Sequence, residues 1–294
     1  MSETIRAGMI GLGAMGAPMA GHLASAGLLQ AVWNRTGSKA EALAAVIGVT
    51  AADSPATLAR ECNVVVTCVS ADADLLAVIA ALRPGLRAGS TVVDTSTVSP
   101  DTARRAAQQA AQAGAAFVDA PVSGGVEGAI RGSLSVMAGG ESADIERILP
   151  VLEAIAASIT HMGPVGSGQA TKAVNQVIVG GVAEAVCEAL ALAEKLNLPQ
   201  ERLLSVLAAG AADSWFLRHR GQSMLDNRFD TGFKLALLLK DLNIVQSLAR
   251  DLNISMQGVE LAIRDFGRLV ESGDGNNDIS GLIRLKRAPA DAWL

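Results

Sequence analysis

The chain has 294 residues, half of them hydrophobic but only 3% aromatic, with 30 glycines, no Tyr and a formal net charge of -5. An 18% share of charged residues, with so much aliphatic content, excludes a chain disordered over most of its length, and no basic stripe is present to track nucleic acid. Apolar runs are broken by Gly, Asp, Asn or Arg short of the roughly 18 residues of a membrane span, so neither nucleic acid nor membrane is an expected partner.

Short apolar runs at residues 8–10, 31–33, 64–67, 91–93, 116–118 and 134–137 alternate with helical stretches. That pattern predicts βαβ units in a parallel sheet covered on both faces. Residues 1–164 are therefore expected to form an α/β Rossmann domain, doubly wound around a mostly parallel sheet. Beyond Gly168 the pattern turns helical. A 3.6-residue apolar period predicts one long helix over 169–196, followed by helices near 199–209, 213–226, 234–252, 257–272 and 278–287. Residues 165–294 are thus expected to be an all-α domain for substrate binding and oligomerisation. The first strand begins within a few residues of Met1, so no targeting segment is expected. Cys62, Cys68 and Cys187 have no zinc spacing and suit a reducing compartment, taken as the cytoplasm.

Gly11-Leu12-Gly13-Ala14-Met15-Gly16 follows the first strand and opens a helix. Gly11 permits the tight turn, Gly13 the approach of a pyrophosphate, and Gly16 close helix–strand packing. The second strand ends in Asn34-Arg35-Thr36, where an NAD-binding fold normally has Asp or Glu for the ribose hydroxyls. Arg35 instead suits a 2′-phosphate, with charge-assisted contacts of roughly 1.5–3 kcal/mol each. NADP is therefore the expected cofactor and NAD the less favoured one.

Past the fifth run, Ser123-Gly124-Gly125 offers a hydroxyl and open N–H groups, suited to a substrate carboxylate or to a tight turn. On the long helix, Lys172, Asn175 and Gln176 share one polar face. Lys172 is either a solvated, snorkelling side chain or, desolvated in a cleft, a proton donor with Asn175 orienting its partner. His22, His161 and His219 are scattered, so no metal is expected.

Three segments together resemble the signatures of the β-hydroxyacid dehydrogenase family: Gly11 to Met19, Asp119 to Gly125, and Gly166 to Asn175. The resemblance runs from Ile5 to about Leu285 and implies a Rossmann domain followed by a helical one, with substrate between them. It implies Lys172 as general acid in reduction and base in oxidation, and Asn175 positioning the reacting group. Ser123, Gly124 and Gly125 would hold the substrate carboxylate, Thr97 with Ser96 would touch the nicotinamide side, and Lys240 and Phe233 would lie near the cofactor. Ser70 stands where many relatives have Pro. Trp215 is read as core or as a wall of the substrate pocket. The implied activity is reduction of a small carboxylate-bearing aldehyde, first tartronate semialdehyde. Alternatives are 3-hydroxyisobutyrate, threonate or another 3-hydroxyacid as the dehydrogenase substrate, and glyoxylate or succinic semialdehyde reduction. A non-catalytic NADP-binding scaffold is the rival from another class, and Lys172 argues against it. The family is commonly dimeric or tetrameric, so a homodimer or homotetramer is expected.

Overall fold

The computed structural model describes residues 4–230 and 232–289. Two compact units divide it between Lys172 and Ala173. The first contains β1 (Ala7–Ile10), α1 (Gly16–Ser25), β2 (Leu29–Trp33), α2 (Gly37–Ile47), β3 (Thr50–Ala51), α3 (Pro55–Glu61), β4 (Val64–Thr67), α4 (Asp72–Leu82), β5 (Thr91–Asp94), α5 (Pro100–Ala111), β6 (Ala116–Asp119), β7 (Val122–Ser123), α6 (Gly125–Arg131), β8 (Leu134–Gly139), α7 (Ser142–Glu153) and β9 (Ala156–Gly163). Strand order is β3-β2-β1-β4-β5-β6-β8-β7, with β9 beside β8. Pairing is parallel from β3 through to β6, while β8 runs antiparallel to β6 and β7.

Side chains alternate across a strand, and both faces here are covered. Met9, Val66, Val93 and Val118 join one core with α1, α2 and α7. Ile10, Val65, Val92 and Phe117 join another with α3, α4 and α5. Burial on both sides is why these strands read as unbroken apolar runs. The strand order turns at β1, between β2 and β4, and that reversal is where open α/β sheets bind ligands.

Three strands lie outside the expected set. β3 and β7 have two residues each, too few to show a period. β9 is largely exposed, so its alternation carries no hydrophobic signal.

The second unit is helical: most of α8 (Ser167–Lys195), then α9 (Gln200–Ala208), α10 (Trp215–Leu225), α11 (Leu235–Asp251), α12 (Gln257–Glu271) and α13 (Ile283–Arg287), with 3-10 turns at Asp274–Asn276 and Ile279–Leu282. Cys187 and Leu190 of α8 pack with Phe216, Leu242, Phe266 and Leu282 in one core. The helix expected over 278–287 is in two parts, because Asp278 accepts the Ser280 N–H at 3.0 Å and tightens the first turn. By length and composition α8 could cross a membrane, with an 18-residue window of mean hydropathy 1.6, contrary to the expectation from its interrupting residues. Half of that window is buried inside the protein.

Candidate active site

The glycine loop follows its expected geometry. Gly11 has φ +90°, and a Cβ there would lie 2.1 Å from the Cys68 carbonyl oxygen. A Cβ at Gly16 would stand 1.8 Å from the Gly11 oxygen. At Gly13 a Cβ would meet nothing within 4 Å, so that stretch of backbone is open to a ligand. No side chain caps α1 and no acidic residue occupies its first turn, which leaves the positive end of the helix to an anion. Ala14 is exposed and Met15 half-buried, whereas Leu12 is buried. The Leu12 N–H is committed to Asn34 Oδ1 at 3.0 Å. Asn34 also donates to the Thr36 carbonyl at 3.1 Å, so it braces the loop against the end of β2. Arg35 is 85% exposed beside it and pairs with Asp74 at 3.0 Å. The open backbone at Gly13, the uncapped helix and the cation at the β2 end fit a dinucleotide with its pyrophosphate on α1.

The ends of β5 and β6 carry two buried carboxylates in register, Asp94 and Asp119. Asp94 Oδ1 accepts from Thr67 Oγ1 at 2.7 Å and Ser96 Oγ at 2.6 Å. Burial pushes its carboxyl up to about 6 against those hydrogen bonds. Ser96 is 2% exposed, and its hydroxyl also accepts the Val69 N–H at 2.8 Å. It therefore ties two loops together, with its hydroxyl bonded to both. Thr97, the next residue, is half-buried.

Asp119 meets the start of α8. Its Oδ1 accepts the Gly166 N–H at 2.7 Å and its Oδ2 the Gln169 N–H at 2.9 Å. Gln169 donates through Nε2 to the Ser96 carbonyl at 2.8 Å and accepts the Val98 N–H at 3.1 Å. One turn later Lys172 is only 7% exposed, which removes the solvated-stripe reading. Ser123 lies in β7, paired with Ser135. Gly124 and Gly125 follow with φ +125° and +62°, at the start of α6. That conformation requires glycine and turns the backbone away from the strand.

In the helical unit, hydrogen bonds and an ion pair join residues expected to act separately. Asn175 donates to Gln176 Oε1 at 2.8 Å, and Gln176 donates to Asp241 Oδ2 at 2.7 Å. Lys240 Nζ lies 3.0 Å from Asp241 Oδ1. Asp241 and Gln176 are buried, and neither stood out in the sequence as a link, since they lie 65 residues apart. Trp215 is 47% exposed, so it is not a core residue. Its ring stacks on His219 with centroids 4.3 Å apart, and the Arg220 guanidinium lies 5.0 Å from its centroid. Arg220 is fixed by Asp278, which also accepts the Phe233 N–H at 2.8 Å. Phe233 itself is half-buried against the helical core.

Residues 6–163 match the family model for the NAD binding domain of 6-phosphogluconate dehydrogenase. Residues 166–286 match the model for the NAD-binding domain of NADP-dependent 3-hydroxyisobutyrate dehydrogenase. The chain is 34% identical to 2-hydroxy-3-oxopropionate reductase of Escherichia coli (strain K12), over 99% of this chain and 100% of that protein. Among solved structures, Mycobacterium tuberculosis 3-hydroxyisobutyrate dehydrogenase with L-serine superposes with a TM-score of 0.88 at 30% identity, covering 97% of this chain and 100% of that one. Psf3 in complex with NADP+ and 2-OPP gives 0.87 at 26% identity, covering 95% and 99%.

Proposed function

We propose that this chain, which belongs to the β-hydroxyacid dehydrogenase family of NAD(P)-dependent oxidoreductases and carries a 6-phosphogluconate-dehydrogenase-type nucleotide domain, is an NADPH-preferring reductase of small carboxylate-bearing aldehydes. Tartronate semialdehyde, that is 2-hydroxy-3-oxopropionate, is the first substrate, and the reaction runs reversibly as a 3-hydroxyacid dehydrogenase. The observation that carries this reading is Lys172: a buried lysine on the helix that Asp119 and Gln169 bind to the ends of β5 and β6. The name of the Escherichia coli relative and the NADP+ bound to Psf3 support the substrate class and the cofactor.

The dinucleotide, when bound, supplies or accepts the hydride. Gly13, Ala14 and Met15 would hold its pyrophosphate at the start of α1, and Arg35 its 2′-phosphate. Ser123 and the N–H groups of Gly124 and Gly125 would take the substrate carboxylate, which fixes the carbonyl face presented. Lys172 then donates a proton to the carbonyl oxygen in reduction and removes it in oxidation. Asn175 orients the reacting group, with its amide steadied by Gln176 and Asp241. Trp215 would bound the far end of the substrate, and Lys240, Phe233 and Thr97 the cofactor side. Unpaired thiols, two of them buried, suit a reducing compartment such as the cytoplasm.

The same reading includes a homo-oligomer. Val174, Ile178, Leu192 and Leu196 are each at least 60% exposed and fall on one side of α8 and its extension. Their spacing about Ala185 is symmetric, with exposed Gly181 and Ala189 between. A two-fold axis near Ala185 would oppose Val174 to Leu196 and Ile178 to Leu192, the self-complementary pattern of an isologous dimer.

The test is NADPH oxidation with glyoxylate, tartronate semialdehyde, methylmalonate semialdehyde and succinic semialdehyde, using wild type and K172A. Turnover is expected with tartronate semialdehyde first, falling by orders of magnitude in K172A while NADPH affinity holds. Equal turnover in the variant overturns the mechanism, and inactivity toward all four overturns the substrate class.

A further inference from the structure

We propose that Asp119 is a positioning residue for Lys172: from the end of β6 its carboxylate caps the N-terminus of α8 and sets the direction of the turn that carries the lysine. The proposal rests on the reading of Lys172 as proton donor. A helix start leaves several N–H groups without intrahelical partners, ordinarily satisfied by a Ser, Thr, Asp or Asn side chain at the N-cap. Here that position is Gly166, with φ +94° and Arg104 Nε and the Pro100 oxygen each 3.3 Å from where a Cβ would stand. No local side chain can cap this helix.

Asp119 does so from 47 residues away, with one oxygen on Gly166 and the other on Gln169. The two bonds bracket the first turn, so the carboxylate fixes both where the helix begins and which way it points. A negative group at a helix N-terminus is also favoured by the macrodipole. Two glycines make the room: a Cβ at Gly139 would lie 2.5 Å from Asp119 Oδ1, and one at Gly168 would lie 2.9 Å from Oδ2 and 2.3 Å from the Met137 oxygen. Gln169 then binds the loop after β5 through its amide. Lys172 stands three residues on, directly over Gln169 on the helix surface. A shift of the first turn therefore passes straight to the lysine, and a displacement on the order of 1 Å costs roughly 100-fold in rate.

D119N keeps the shape but places an amide NH2 against an N–H donor. With NADPH and tartronate semialdehyde, kcat is expected to fall about 10- to 100-fold while KM for NADPH stays near that of wild type. The deciding comparison is the cycle with K172A. If Asp119 acts through the lysine, D119N/K172A turns over no more slowly than K172A alone. Added methylamine, a proton donor independent of the helix, then restores both to the same rate. A further loss in the K172A background, or a smaller methylamine rescue, shows a general structural role and overturns the proposal; so does wild-type kcat in D119N. Wild-type turnover of K172A overturns the reading of Lys172 itself, and the proposal with it. If D119N does not fold, D119E, which keeps the charge but moves the carboxylate by one methylene, enters the same cycle.

Discussion

At Arg35 the proposed 2′-phosphate would compete with Asp74 for one guanidinium. The pair with Asp74 is 3.0 Å long, but the arginine side chain is 85% exposed and the aspartate 31%. A surface pair of that kind is worth about 0–1 kcal/mol, below the roughly 1.5–3 kcal/mol of a charge-assisted contact to phosphate. On the proposed NADPH reading, exchange from Asp74 to a 2′-phosphate would therefore be downhill. R35D should reverse the NADPH-to-NADH ratio of kcat/KM, and D74N should raise it, both measured at low salt where the pairing is least screened. An unchanged ratio in R35D would remove the NADPH assignment. Ser96 illustrates the converse case at this scale. Its place after a strand end suggests a cofactor contact, yet its hydroxyl is held between Asp94 and the Val69 N–H, a commitment visible only when β4 and β5 lie side by side.

Parallel strands bring their carboxyl ends together, and here that places Asp94 against Asp119. Burial raises both carboxyls, Asp94 to about 6. The consequence for stability has a definite sign. Between the ordinary carboxylate range and about pH 6 the native state holds a proton that the unfolded chain has lost, so stability falls as pH rises through that window. Asp94 alone contributes on the order of 3 kcal/mol across it. Urea unfolding of wild type from pH 4 to 7 should show this decline, and D94N should flatten it; a decline of equal size in D94N would assign it to other groups. The elements themselves were legible wherever their signal is local. The glycine loop, the apolar strands and the period of α8 all appear where expected, because each depends on neighbours a few residues apart. β9 was not legible, since an edge strand facing solvent has no buried face to impose alternation. Of the two readings of Trp215, core and pocket wall, its 47% exposure removes the first, and no local sequence signal separates them, because what holds the ring is Arg220, itself paired with Asp278.

For the whole molecule, the exposed face of α8 predicts assembly. I178E puts a charge on the stripe and should shift the sedimentation profile toward a monomer, with Lys172 chemistry retained per folded subunit. An unchanged profile would move the interface elsewhere. The sequence by itself determined the two-part organisation, the dinucleotide loop, the helix bearing Lys172 and the family, because turn chemistry, burial pattern and motif order are written in short stretches of chain. Only the tertiary structure decided how those stretches are braced. Asn34 holds the glycine loop from 22 residues away, Asp119 caps α8 from 47, and Gln176 meets Asp241 across 65. Such partners are chosen by which strand ends and helix faces become neighbours, and hydrophobic periodicity carries no information about that choice.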